Sequence, residues 1–202
     1  MSAHARRTQA ERSAATRAAL LDAARRLFAE QGYGAPADEI VALAGVSRGA
    51  LQHHFGDKQG LFTAVYEVTE QEVVAGTATA AMAAGDDALE QLRAGCHAYL
   101  DAVLDPAVQR ICAVDGPAVL PVEVRDQITD RYAVGLVREA ITHAMESGRM
   151  QRAPVEALTR VLLAGVMAAA MFVALADDHD AARTEAGRTV DVLLDSLATP
   201  AP

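Results

Sequence analysis

Ser47, Arg48, Gln52, His53, His54 and Lys58 gather hydrogen-bonding groups and positive charge into one short stretch, DEIVALAGVSRGALQHHFGDK. Side chains of this kind suit recognition: arginine and glutamine read base edges in a DNA groove, and lysine neutralises a phosphate. They do not assemble a reaction centre. His53 and His54 are sequence neighbours, so on a helix their rings point about 100° apart and cannot share a metal ion. Cys96 and His97 fail as nucleophile and base for the same reason. No HExxH, GxSxG, paired-cysteine or phosphate-loop glycine pattern occurs. Neither enzyme chemistry nor a metal or cofactor is expected.

The elements that must position these residues can be read from the apolar ladder. Ile40, Val41, Ala44, Val46, Leu51 and Phe55 leave Ser47, Arg48, Gly49, Gln52, His53 and His54 on the opposite face. Gly45 follows Ala44 where a first short helix must stop, because glycine takes the left-handed conformation at little steric cost. Ser47 then stands where a second short helix needs an N-cap, and Gly49 and Ala50 allow its first turn a close approach to another surface. A short helix with such an outward face fits a DNA major groove; a surface helical hairpin with no nucleic-acid role is the alternative. Upstream, residues 16–31, TRAALLDAARRLFAEQ, place Leu20, Ala24, Leu27 and Phe28 on one helix face. Gly32 ends that helix.

A packing helix, a helix-turn-helix and a long fourth helix opening at Asp57 follow one another here. With LLDAARRLFAEQGY and IVALAGVSRGALQHHFGDKQGLF, from about Arg12 to Tyr66, the chain resembles the TetR/AcrR family of bacterial transcriptional regulators. The resemblance covers roughly the first third. It implies a DNA-binding domain over residues 1–56, with a flexible arm over 1–12, and an effector-binding and dimerisation domain over 57–202. It also implies a homodimer on a double-stranded, palindromic operator, most often a repressor released by a small organic effector. An effector-independent or architectural DNA-binding protein is the alternative, and a helical enzyme a more distant one. Two departures stand out. Pro36 and Ala37 occupy the place where the family often caps its second helix with Thr or Ser, and Gln52 that of a phosphate-binding Tyr.

Charge divides the chain in the same way. Residues 1–60 carry eight Arg or Lys against six Asp or Glu, while residues 61–202 carry ten against twenty-one, for a net charge of −9. Such a protein should not bind DNA indiscriminately, since phosphate attraction is the sequence-independent part of affinity. Its basic residues cluster instead at Arg6, Arg7, Arg12, Arg17, Arg25, Arg26, Arg48 and Lys58. Arg6 and Arg7 suit the DNA backbone or a minor groove, or else belong to a solvated tail. The acidic second part disfavours an anionic effector by long-range repulsion and points to a neutral or cationic, hydrophobic one, although one buried Arg would reverse this locally.

Hydrophobic residues make up 51% of the chain, ample for a core. The most apolar run, residues 161–176, is shorter than the roughly 20 residues of a membrane helix, so a buried helix and no membrane are expected. The start lacks an apolar leader. Two cysteines, Cys96 and Cys112, are too few for a disulfide framework, which points to a reducing cytoplasm.

Beyond Lys58 the pattern is helical, giving an all-α chain of about nine helices. Expected spans are 57–83, 86–104, 106–114, 122–147, 155–176 and 180–197, with breaks that include Gly116-Pro117. The helix over 155–176 is apolar nearly all round, which by itself proves burial. The family resemblance implies that the last two helices pair with their counterparts in a four-helix bundle, with Leu163, Met167, Val190 and Leu194 at the interface. A monomer with both helices in its own core is the alternative. In the family a cavity forms among helices five to eight, which makes Cys96, Tyr99, Val103, Tyr132, His143, Met167, Met171 and Phe172 the candidate lining. Apolar walls with a few hydroxyl, thiol or imidazole groups suit a small organic effector; ordinary core packing uses the same residue types.

Overall fold

In the computed structural model, which describes residues 8–199, the first helix begins earlier than the apolar periodicity suggests. The Thr8 hydroxyl accepts from the Glu11 N–H at 3.2 Å and the Glu11 carboxylate accepts from the Thr8 N–H at 2.6 Å. This reciprocal cap satisfies two otherwise free amides and starts α1 at Gln9, running to Gln31. Residues 9–12, expected in a flexible arm, are therefore helical. Arg6 and Arg7 lie outside the described residues.

Local chemistry then sets the helix-turn-helix. After α2 (Ala37–Leu43), Gly45 turns the chain at φ +66°. The Ser47 hydroxyl accepts from the Ala50 N–H at 3.3 Å and opens α3 (Arg48–Phe55). Pro36 precedes α2 without any side-chain cap, as its side chain requires. Asp57 accepts from the Gly60 N–H at 2.8 Å and opens α4 (Lys58–Ala83). A β-carbon on Gly60 would run into the Phe55 carbonyl oxygen, so the tight α3–α4 corner requires glycine there.

Behind this head, α5 spans Ala88–Ala102 and is capped by Asp87. A sixth helix, α6, covers residues 106–119, as α-helical Pro106–Val108, π-helical Gln109–Asp115 and α-helical Gly116–Val119. The expected break at Gly116-Pro117 is thus a continuous helix; Pro117 lies inside it and withholds one N–H where the π-helical stretch gives way to α-helix. α7 covers 122–146, with a π-helical stretch Asp130–Val134 between Val122–Thr129 and Gly135–Glu146. α8 (Val155–Ala174) and α9 (His179–Leu197) complete the fold. No strand forms among the described residues, and the fold class is all-α with nine helices.

Two buried clusters hold the molecule together. The head cluster centres on Leu20, Phe28, Ile40, Leu51 and Phe62, and it takes in Ile111, Leu120 and Ile128 from α6, the turn after it and α7. Phe28 and Phe62 meet edge-to-face at 5.1 Å, each burial contributing ~1.5–3 kcal/mol. The body cluster joins α5, α8 and α9 through Leu92, Leu100, Val166, Val173, Val190 and Leu194. Polar contacts fix α9 on α5: Arg93 donates to Asp191 at 2.8 Å and to Asp195 at 2.6 Å, and His97 Nε2 lies 2.8 Å from Asp191. Burial would raise the Asp191 carboxyl, but the hydrogen bonds from His97 and Arg93 outweigh it and hold the group below its ordinary value.

The membrane expectation needs correction on length. α8 runs for 20 residues at mean hydropathy 2.0 and is long and apolar enough to cross a membrane by length and composition. It packs its Leu162, Val166, Ala170 and Val173 face into the body core instead.

Candidate DNA-reading face and effector cavities

α3 is anchored by one buried side chain, Leu51, and partly buried Phe55. Ser47, Arg48, Gly49, Gln52 and His53 are exposed on its outer side. His54 is partly buried, its ring edge-on to His53 at 5.1 Å, so it sits at the margin of the face. Arg48 pairs with Asp38 of α2 at 3.0 Å. Lys58 lies at the start of α4 with its amine 4.4 Å from the Tyr33 ring centre, a cation–π contact that orients it. Two other basic residues of the head are already neutralised: Arg25 by Glu72 at 2.5 Å and Arg26 by Glu30 at 3.0 Å. Arg17 rests over the Phe55 ring at 5.2 Å. What remains is a localised donor surface on α3 and the start of α4.

Behind the head, a cavity of about 360 Å³ opens among α4, α5, α7 and α8, lined by Cys96, Tyr99, Tyr132, His143, Leu163 and Met167. His143 is exposed and marks the rim. A second cavity, of about 270 Å³, reaches α6 and takes in Val103 and Met171. Glu70, Tyr99 and Met167 border both. Each π-helical stretch carries a lining residue, Cys112 in α6 and Tyr132 in α7. A π turn shifts the register of a helix face by one residue and is frequent where side chains must be re-aimed at a site. The Tyr132 hydroxyl donates to Glu67 at 2.9 Å, and Arg131 pairs with the same carboxylate.

Phe172 is the exception among the expected lining residues. It is 50% exposed and borders neither cavity, because five residues beyond Met167 it emerges about 140° further round the helix.

Glu70 and Arg125 are among the lining residues that escaped the sequence reading. Glu70 keeps helical register with Tyr66 and Val73, both buried, and that register was the available signal. Burial pushes its carboxyl up, against the pull of the neighbouring Cys112 thiol and Tyr66 hydroxyl. Arg125 stands three residues before buried Ile128 and lines the second cavity. Burial also pushes the Cys96 thiol up to about 12 and raises Cys112 and Tyr99. These thiols are protonated at neutral pH, which suits cavity walls and disfavours nucleophilic or metal-binding chemistry.

The expected interface residues also move. Val190 is 3% and Leu194 0% exposed, both inside the protomer's own core, while Leu163 and Met167 face the cavities. The outward apolar surface lies on other faces of the same helices, at Val161 (68% exposed) and Phe172 of α8, Leu175 (65%) just after it, and Val192 (67%) and Leu193 (50%) of α9. Exposed Ala164, Gly165 and Ala168 lie between them on α8. A patch of this kind on an otherwise charged protein marks a contact surface.

Comparison with known proteins agrees with this geometry. Residues 20–65 match the family described as bacterial regulatory proteins, tetR family, and residues 89–197 match the tetracyclin repressor-like C-terminal domain. A crystal structure of a TetR-family transcriptional regulator from Pectobacterium atrosepticum superposes with TM-score 0.84 at 32% identity, covering 97% of this chain and 100% of that one. The chain is 43% identical over 70 residues to the HTH-type transcriptional regulator AcrR of Shigella flexneri, over 34% of its own length and 32% of that protein's. It is 51% identical over 51 residues to the HTH-type transcriptional repressor AcnR of Corynebacterium glutamicum, over 25% and 27%. The matched stretches thus span about a third or less of these two relatives.

Proposed function

Because this chain belongs to the TetR family of bacterial regulatory proteins and is a DNA-binding transcriptional regulator, we propose that it is a dimeric repressor released from a palindromic operator by a small organic effector. The observation that carries this reading is that one helix, α4, begins at the DNA face with Lys58 and goes on to wall both cavities through Glu70. The repressor role is supported by the name of AcnR. A cytoplasmic location follows from the site of its DNA target, and a division of labour near residue 57 from the start of α4.

The mechanism is a shift of populations. Two heads enter successive major grooves on one face of DNA when they stand about 34 to 36 Å apart. An effector wedged among α4, α5 and α8 tilts α4 and changes that spacing. It does so only to the extent that it binds the released state more tightly than the DNA-bound one.

The test is to sequence the DNA that the purified protein selects from a random pool, then to titrate a broad lipophilic panel against the complex. Two symmetric half-sites and release by at least one compound are expected. Selection of no common sequence would refute operator recognition, and a complex that no compound releases would leave a DNA-binding protein without an effector.

A further inference from the structure

Arg125, on the Val122–Thr129 part of α7, holds its Nε buried without a hydrogen-bond acceptor. It lines the second cavity together with Tyr66, Glu70, Tyr99 and Cys112. Other body arginines, among them Arg93, Arg131, Arg160 and Arg183, pair with carboxylates. Among the described residues Arg125 has no such partner, and Glu70, though it faces the same cavity, is not paired with it. A buried donor left unmatched carries its full desolvation cost. The Nε itself is closed off, but Arg125 lines the cavity wall with no carboxylate of the described residues on its guanidinium, which leaves that charge to be matched by a ligand.

We propose that the effector is a hydrophobic carboxylic acid, its carboxylate accepting from the Arg125 guanidinium in the second cavity and its apolar remainder directed past Tyr99 and Met167 toward the larger one. The inference rests on the sensor reading above and deepens it. Guanidinium is the side-chain group best matched to a carboxylate. A cavity of about 270 Å³ accepts a one-ring acid, and the shared Tyr99–Met167 wall leads an alkyl tail toward apolar Leu162 and Val166. Burial raises the Glu70 carboxyl, so it opposes an anion less than an exposed carboxylate would.

The charge expected from composition is thereby inverted. The acidic surface of residues 61–202 acts through solvent and is screened within about 8 Å at physiological ionic strength. Arg125 acts at contact, in a medium of low dielectric. The local group decides the sign of the ligand.

Three matched probes test this on the full chain: 4-butylbenzoate, 4-butylbenzamide and 4-butylbenzylamine. Calorimetry measures binding, and fluorescence anisotropy measures release from the selected operator. The acid is expected to bind roughly tenfold or more tightly than the amide and the amine and to release DNA. Arg125→Gln should abolish that preference while leaving the amide's affinity and the melting temperature in place, and Arg125→Lys should keep part of it. The comparison of probes on the unaltered protein decides the ligand class even if a variant fails to fold. Equal or tighter binding of the amide or amine overturns the acid class and leaves the sensor reading standing. Tight, Arg125-dependent binding of the acid without DNA release supports the site and overturns the sensor reading. Absence of binding by all three overturns the proposal.

Discussion

Arg48 is held by Asp38 through a pair whose two side chains are largely exposed. A pair of that kind is worth ~0–1 kcal/mol, so DNA can draw Arg48 away at small cost. Arg48→Ala is expected to cost about 1–3 kcal/mol at the cognate site and to relax preference at one base position. Lys58→Ala is expected to act as the loss of a phosphate contact does, weakening all sequences alike and lowering the salt slope by about one. Titration of cognate and scrambled duplexes at several salt concentrations separates the two. Unchanged affinity and base preference in Arg48→Ala would place the reading face elsewhere. Residues of this class were legible because their cause is local: Gly45, Ser47 and Asp57 set the turns whatever lies around them. Arg125 was not legible, since nothing in VEVRDQIT distinguishes an arginine whose Nε is buried from one that snorkels to solvent.

Among the elements, α6 is the one that joins head and body, packing on α1, α4 and α8. Its Asp115 accepts from the Tyr33 backbone N–H at 2.7 Å and pairs with Arg110 at 3.1 Å, while Cys112, one turn earlier, lines the second cavity. Asp115→Ala strands a partly buried N–H and is expected to cost about 1–3 kcal/mol of stability. Asp115→Asn, which keeps an acceptor for Tyr33, should cost distinctly less. Urea unfolding measures both, and equal losses would show that the Tyr33 contact contributes nothing. Helix limits were readable from caps and periodicity, as α3 and α9 illustrate. The π-helical stretches were not, and neither was the close approach of Gly116 to Tyr66 of α4, where a β-carbon would come within 2.6 Å of the ring; both are contacts or registers that no local residue pattern encodes.

For the whole molecule the sharpest question is which surface is left for a second copy. Since α8 is apolar nearly all round, its sequence could not say which face enters its own core; the structure turns Leu162 and Val166 inward and Val161, Phe172 and Leu175 outward. Phe172→Glu is therefore expected to split the proposed dimer into folded monomers, since a charge buried at an interface without a partner is costly. Leu194→Glu should unfold the protomer itself. Light scattering with circular dichroism distinguishes the outcomes, and an undisturbed dimer in Phe172→Glu would rule out this face.

The head cluster borrows Ile111, Leu120 and Ile128 from the far part of the chain, and that borrowing bears on how such a protein can change over evolutionary time. A recombination event that joined residues 1–56 to a foreign body would have to bring matching apolar side chains at all three places, and in place of Leu61 and Phe62 as well, or leave the head cluster incomplete. Exchange of heads as interchangeable parts is thus discouraged. New operator preferences are more cheaply acquired by single changes at Gln52 and His53, which are exposed and carry no packing duty.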